Sequence, residues 1–132
     1  MKTIYEQIYE KLIHLIPDLL TLKSGNYMKS KSAGYMDLSL DVLSSNDDRI
    51  IIALAHNYEL NGDLVPDPDM EIRVFKNLKL AEAMTYQDAR TYECVYDNEN
   101  NADKKLQRDL DLFLYAWITQ CIDQGHKLIC AS

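Results

Sequence analysis

The chain is poor in the residues that name a chemistry at sight. Among 132 residues there are 4 Gly, 3 Pro, 3 Cys, 2 Phe and 1 Trp. With so little glycine there is neither a Gly-rich phosphate loop nor a nucleophile elbow. Collagen-like and low-complexity readings fall with the same counts. The cysteines, Cys94, Cys121 and Cys130, are odd in number and widely spaced, without a CxxC pair. They read as reduced thiols of a cytosolic protein, not as a disulfide framework or a zinc finger. Apolar runs such as Ile50 to Ala55 are far below the ~20 residues that cross a bilayer. Glu6 and Glu10 interrupt the apolar N-terminal stretch, so a helix is expected there and not a secretory leader. Basic residues are also scarce. With 14 Lys+Arg against 21 Asp+Glu the net charge is −7, the wrong sign for direct nucleic-acid binding by phosphate neutralisation.

What is present suffices for one domain with its own core, since 47% of the residues are hydrophobic. Ile4, Ile8, Leu12 and Leu15 recur at helical steps, predicting an N-terminal helix that Pro17 stops. Lys23 to Gly34 has no period and reads as a mobile connection. From Tyr35 the period is two, with Met36, Leu38, Leu40 and Val42 apolar, a half-buried strand. Ile50 to Leu60 reads as a second strand. Asn61-Gly62-Asp63 turns the chain, and the prolines in Val65 to Asp69 forbid regular pairing until a third strand at Met70 to Phe75. A two-residue turn at Lys76-Asn77 leads to a fourth strand within Leu78 to Met84, and Thr91 to Tyr96 alternates as a fifth. Leu106, Leu110, Phe113, Leu114, Trp117, Ile118 and Cys121 then define a long last helix, with Gly125 at its C-terminal end.

The expectation is a single α+β domain over residues 1–132, a five-stranded antiparallel meander sheet with an N-terminal and a C-terminal helix packed on one face. Leu110, Phe113, Leu114, Trp117 and Ile118 should face the sheet together with Ile8, Leu12 and Leu15. The other face, carrying Asp37, Asp41, Asn57, Glu59, Arg73 and Glu93, is left to solvent or to a partner.

Chemistry-bearing clusters are few. Asp63, Asp67, Asp69 and Glu71 lie close together in sequence, a set of oxygen ligands that could hold a hard cation, but their spacing fits no EF-hand loop and a Pro-rich acidic loop is ordinarily solvated. No metal and no cofactor are therefore expected. His56 and Cys94 could meet across the sheet as a thiolate–imidazole pair, yet no orienting third group accompanies them. Nine tyrosines against two phenylalanines suit either a binding face or plain strand propensity. Charge is more localised. Residues 35–71 carry a net −8, while residues 1–34 and 72–132 carry +2 and −1.

Two segments, DPDMEIRVFKNLKLAEA from Asp67 and CVYDNENNADKKLQRDLDLFLYAWITQCIDQGH from Cys94, resemble the YqiB-like proteins. The shared features are Met70, Arg73 and Val74, the Ala81-Glu82 pair, Tyr96, the Lys104-Lys105-Leu106 run, and the Phe113, Leu114 and Trp117 helix face. The resemblance implies a small cytosolic bacterial protein of this α+β layout, with no catalytic residues to carry over.

The functional expectation is a non-enzymatic cytoplasmic binding or regulatory protein that meets a basic protein surface, without direct nucleic-acid or membrane contact. Its expected binding residues are Asp37, Asp41, Glu59, Asp63, Asp67, Asp69 and Glu71 with Tyr58 and Tyr92. One alternative is an inhibitor of a nucleic-acid-handling defence system, encoded by a phage or mobile element, with carboxylates in place of phosphates. A second is a small metal-binding or thiol/His enzyme around His56, Cys94 and the Asp63 to Glu71 loop.

Overall fold

A computed structural model describes residues 1–129; Cys130 lies outside them. Helix α1 (Ile4–Leu15) and helix α2 (Lys104–Asp123) flank seven strands in the chain: β1 (Tyr27–Ser30), β2 (Asp37–Ser45), β3 (Arg49–Leu60), β4 (Asp63–Phe75), β5 (Leu80–Ala83), β6 (Thr85–Gln87) and β7 (Tyr92–Cys94). All pairings are antiparallel, in the order β1-β2-β3-β4-β6-β7, with β5 also on β4. β5 and β6 are two parts of one line beside β4, separated at Met84, whose N–H still donates to Glu71 O at 2.8 Å. The α+β class, the two terminal helices and the antiparallel meander are as expected.

Both helices begin on side-chain caps. Thr3 and Glu6 form a reciprocal capping box, each backbone N–H donating to the other's side-chain oxygen at 3.2 Å. Asp103 accepts from Leu106 N–H at 3.1 Å. α1 ends before Pro17, and Gly125, at φ 91°, turns the chain after α2. Leu38, Leu40, Val42, Ile50, Ile52, Leu54, Met70, Ile72 and Val74 are buried on one sheet face, in one core with Ile8, Leu12 and Leu15 of α1 and Leu110, Leu114, Trp117 and Ile118 of α2.

Four expectations need correction. The sheet has seven strands among the described residues, not five. Two are β1, inside the stretch expected to be a mobile loop, and β6, which precedes the β6–β7 turn. The prolines do not interrupt β4, which pairs with β3 from Asp63 to Phe75 around an irregularity between Ala55 and Asn57. On its other side β4 has neighbours only from Asp69 onward. Pro66 and Pro68 therefore occupy an edge where no second strand needs their missing N–H. The turn after β4 takes four residues, 76–79, with Lys79 at φ 56°. Phe113 is not buried under the helix with its neighbours: it stays 41% exposed and meets the sheet only at its β6 edge, through the Tyr86 ring.

Candidate functional site

Cross-strand register assembles the uncovered face of the sheet. One row runs Tyr27, Asp41, Ala53, Glu71, and the next Lys29, Ser39, Ala55, Asp69, Gln87, Tyr92. The even-numbered residues of this part of β4, Met70, Ile72 and Val74, are fully buried under the helices, which turns Asp69, Glu71 and Arg73 outward. Small side chains, Ser39, Ala53 and Ala55, floor the middle, where Asn57 Nδ2 donates to Ser39 Oγ at 3.1 Å. Longer carboxylates and tyrosines stand around them, and Tyr92 is 60% exposed at the β7 edge.

Two cations of this face are tied to its own carboxylates, and a third, Arg49 at the far end of β3, lies over the Phe75 ring. Lys29 pairs with Asp37 at 3.3 Å. Arg73 is held by Glu82, which also accepts the Tyr96 hydroxyl at 2.8 Å, and its guanidinium lies over the Tyr96 and Phe75 rings. Asp41, Asp69 and Glu71 have no ion-pair partner among the described residues. Partial burial, and then the Glu71 and Asp41 charges, push the Asp69 carboxyl above its ordinary range. Three carboxylates on β2 and β4 thus share one uncompensated negative potential.

Of the expected binding residues, Asp37, Asp41, Asp69, Glu71 and Tyr92 come together here. Tyr58, Glu59 and Asp63 do not. They lie on the far part of the β3–β4 hairpin, where Tyr58 pairs with Val65, Glu59 with Leu64 and Leu60 with Asp63, beyond the end of β2 pairing at Asn57. Asp67 is also apart, because its charge acts on His56 and Tyr86, both on the helix side. Glu93 is opposite Tyr86, whose ring meets Phe113 of α2, so it too is on the helix side and not on the open face. Tyr27 and Gln87 join the site from β1 and β6, elements too short for a readable period.

His56 and Cys94 do not pair across the sheet. His56 is buried against α2, and Trp117 Nε1–H donates to its Nδ1 at 3.2 Å. The proton must then sit on Nε2, which faces Cys121 Sγ at 3.6 Å. Burial lowers the His56 pKa and pushes the Cys121 thiol up to about 12, so this contact holds a thiol and a neutral imidazole. Cys94 is exposed, with its Sγ 3.2 Å from Tyr96 O. His126 is tied separately, by Ser30 Oγ at 2.9 Å and the Met36 carbonyl at 3.0 Å. Among the described residues no three His, Cys, Asp or Glu side chains stand close enough to hold a metal ion, since Asp63 to Glu71 is extended along a strand and not wrapped as a loop. No helix among them is long and apolar enough to cross a membrane.

With this geometry in view, a family model for the domain of unknown function DUF6908 matches residues 7–127, from α1 to just past α2. The chain belongs to that family. This overturns the resemblance to the YqiB-like proteins. Alternating strands and an amphipathic helix are common to antiparallel sheets covered by helices, and the residues quoted for the resemblance report that layout. No match was found among the curated proteins or the solved structures.

Proposed function

We propose that the chain is a non-catalytic binding protein whose open sheet face receives a basic segment of a protein partner. The observation that carries this reading is the convergence of Asp41, Asp69 and Glu71, without an ion-pair partner among the described residues, on a face floored by small residues. Opposite charge delivered by a partner would relieve the mutual repulsion among these carboxylates, and complementary potentials speed encounter and fix orientation. Tyr27 and Tyr92 at the two ends of the face offer an apolar body with a polar tip, the side-chain type enriched at interfaces. Backbone edges at β1 and β7 bound the same surface.

The test compares the wild-type chain with the triple variant Asp41→Asn, Asp69→Asn, Glu71→Gln as immobilised baits, with captured proteins quantified at low and raised salt. Proteins retained by the wild type should be basic, released by salt, and lost from the triple variant while its melting curve stays close to that of the parent. Identical capture by both baits would refute the reading.

A further inference from the structure

A second feature lies on the opposite side of the sheet. The β6–β7 hairpin and the middle of α2 leave an open cleft of about 330 Å³ lined by Tyr86, Asp88, Thr91, Glu93, Leu110 and Phe113. The Tyr86 and Phe113 rings meet at 89°, with centroids 5.4 Å apart, so they form an aromatic corner. Phe113 stays accessible there, whereas Leu110, Leu114 and Trp117 of the same helix are buried.

The two carboxylates of the cleft have different roles. Asp88 accepts the Tyr86 hydroxyl at 2.8 Å and the N–H groups of Arg90 and Thr91 at 2.9 and 2.8 Å. Those bonds hold it ionised and fix the hairpin turn, leaving it a stationary negative charge at the mouth. Glu93, directly across from Tyr86 in the β6–β7 register, has no ion-pair or side-chain hydrogen-bond partner among the described residues. Aromatic faces attract cations through the ring quadrupole, most strongly where water is partly excluded. Leu110 and the Phe113 ring add an apolar wall against which an alkyl stem can lie.

We propose that this cleft binds an organic cation, an alkylammonium or guanidinium head carried on an apolar stem, with Tyr86 and Phe113 against the head and Glu93 as its counter-ion. The volume is at the small end of the ~300–1,000 Å³ of ligand sites, enough for one such group. The cation can come from a free small molecule or from a Lys or Arg side chain of a peptide. Arg90, on the adjoining turn, and Lys105, which lines a neighbouring cleft together with Glu93 and pairs with Asp109 at 3.6 Å, are the intramolecular competitors. The inference does not depend on the open face, which lies on the other side of the sheet.

The test is an NMR titration of the full chain with butylammonium, butylguanidinium, the capped peptides Gly-Lys-Gly and Gly-Arg-Gly, and 1-butanol as the neutral control. At least one cation should shift the Tyr86 and Phe113 ring signals and bind ~5-fold or more tightly than butanol. Glu93→Gln should weaken that binding by a similar factor, and Phe113→Ala should as well, with the remaining amide spectrum preserved in both. Binding of the peptides alone assigns the cation to a protein side chain, and binding of the free amines assigns it to a small molecule. Equal binding of butanol would overturn the proposal. So would unshifted Tyr86 and Phe113 signals with every cation, in both the wild type and Arg90→Ala.

Discussion

Asp111 offers the sharpest check on the core. It lies in α2 with 1% of its surface exposed. Its Oδ1 accepts Ala83 N–H at 2.8 Å and its Oδ2 accepts Gln107 Nε2–H at 2.9 Å. Burial outweighs these bonds and raises the carboxyl to about 6, from 3.8. The native state therefore binds this proton more tightly than the unfolded chain does. Stability from the group is fully present below 3.8 and is lost as pH rises through about 6. At ~1.36 kcal/mol per unit, the loss is roughly 3 kcal/mol. Asp111→Asn abolishes the titration but is not a free gain. The new amide can accept from Ala83 N–H, yet its NH₂ faces the Gln107 amide, which donates to Ala83 O at 2.9 Å. Rotating Gln107 mends one contact and breaks the other, at a cost of about 1 kcal/mol. Urea unfolding of both proteins from about pH 4 to about pH 8 gives a difference curve in which the other titrating groups cancel. The variant should gain roughly 3 kcal/mol on the wild type across that range, most steeply below about pH 6. A flat difference curve would refute the reasoning.

Three further outcomes follow from other contacts. Trp117→Phe removes the indole donor from the buried His56 Nδ1 and should cost roughly 2–3 kcal/mol in denaturant unfolding; a loss below the measurement error would mean that the bond is not made. Burial lowers the His56 pKa from 6.5, so its contribution to stability is full above 6.5 and declines as pH falls below that value. Imidazole NMR should accordingly place the His56 midpoint below 6.5, and a midpoint above it would contradict the neutral ring. Tyr96→Phe deletes the hydroxyl donated to Glu82 and should cost about 1 kcal/mol because the group is partly exposed, a smaller loss in melting temperature than that of Trp117→Phe.

Hydrophobic period made both helices and the long strands legible, because each buries a continuous stripe or an alternate row. β1 was illegible for the same reason. Only Met28 and Ser30 of its four residues are buried, and its pairing comes from β2, a tertiary contact with no local signature. The prolines misled because proline forbids a strand only where a neighbour lies on the side its N–H would face, and the presence of that neighbour is not written in the local sequence. Phe113 fits the apolar spacing of α2 as well as Leu114 does. The β6–β7 hairpin decides that one ring is left in an open cleft.

The acidity of residues 35–71 was visible as a total, but its division between the two sides of the sheet was not. Strict alternation groups Asp67 with Asp69 and Glu71. The register irregularity breaks this parity, since Ala55 pairs with Asp69 while Asn57 pairs with Pro66. The extra residue on β4 moves Asp67 out of the outward row. Its charge then acts on His56, where it favours the protonated ring, whereas Asp69 interacts with Glu71 and Asp41 on the open face. The two neighbouring aspartates should therefore be separable by one observable. Asp67→Asn removes the charge that raises His56 and should move the imidazole titration further below 6.5, while Asp69→Asn should leave it in place. If both variants moved it equally, the two carboxylates would share a side of the sheet, and the assignment of Asp69 to the open face would fail with them.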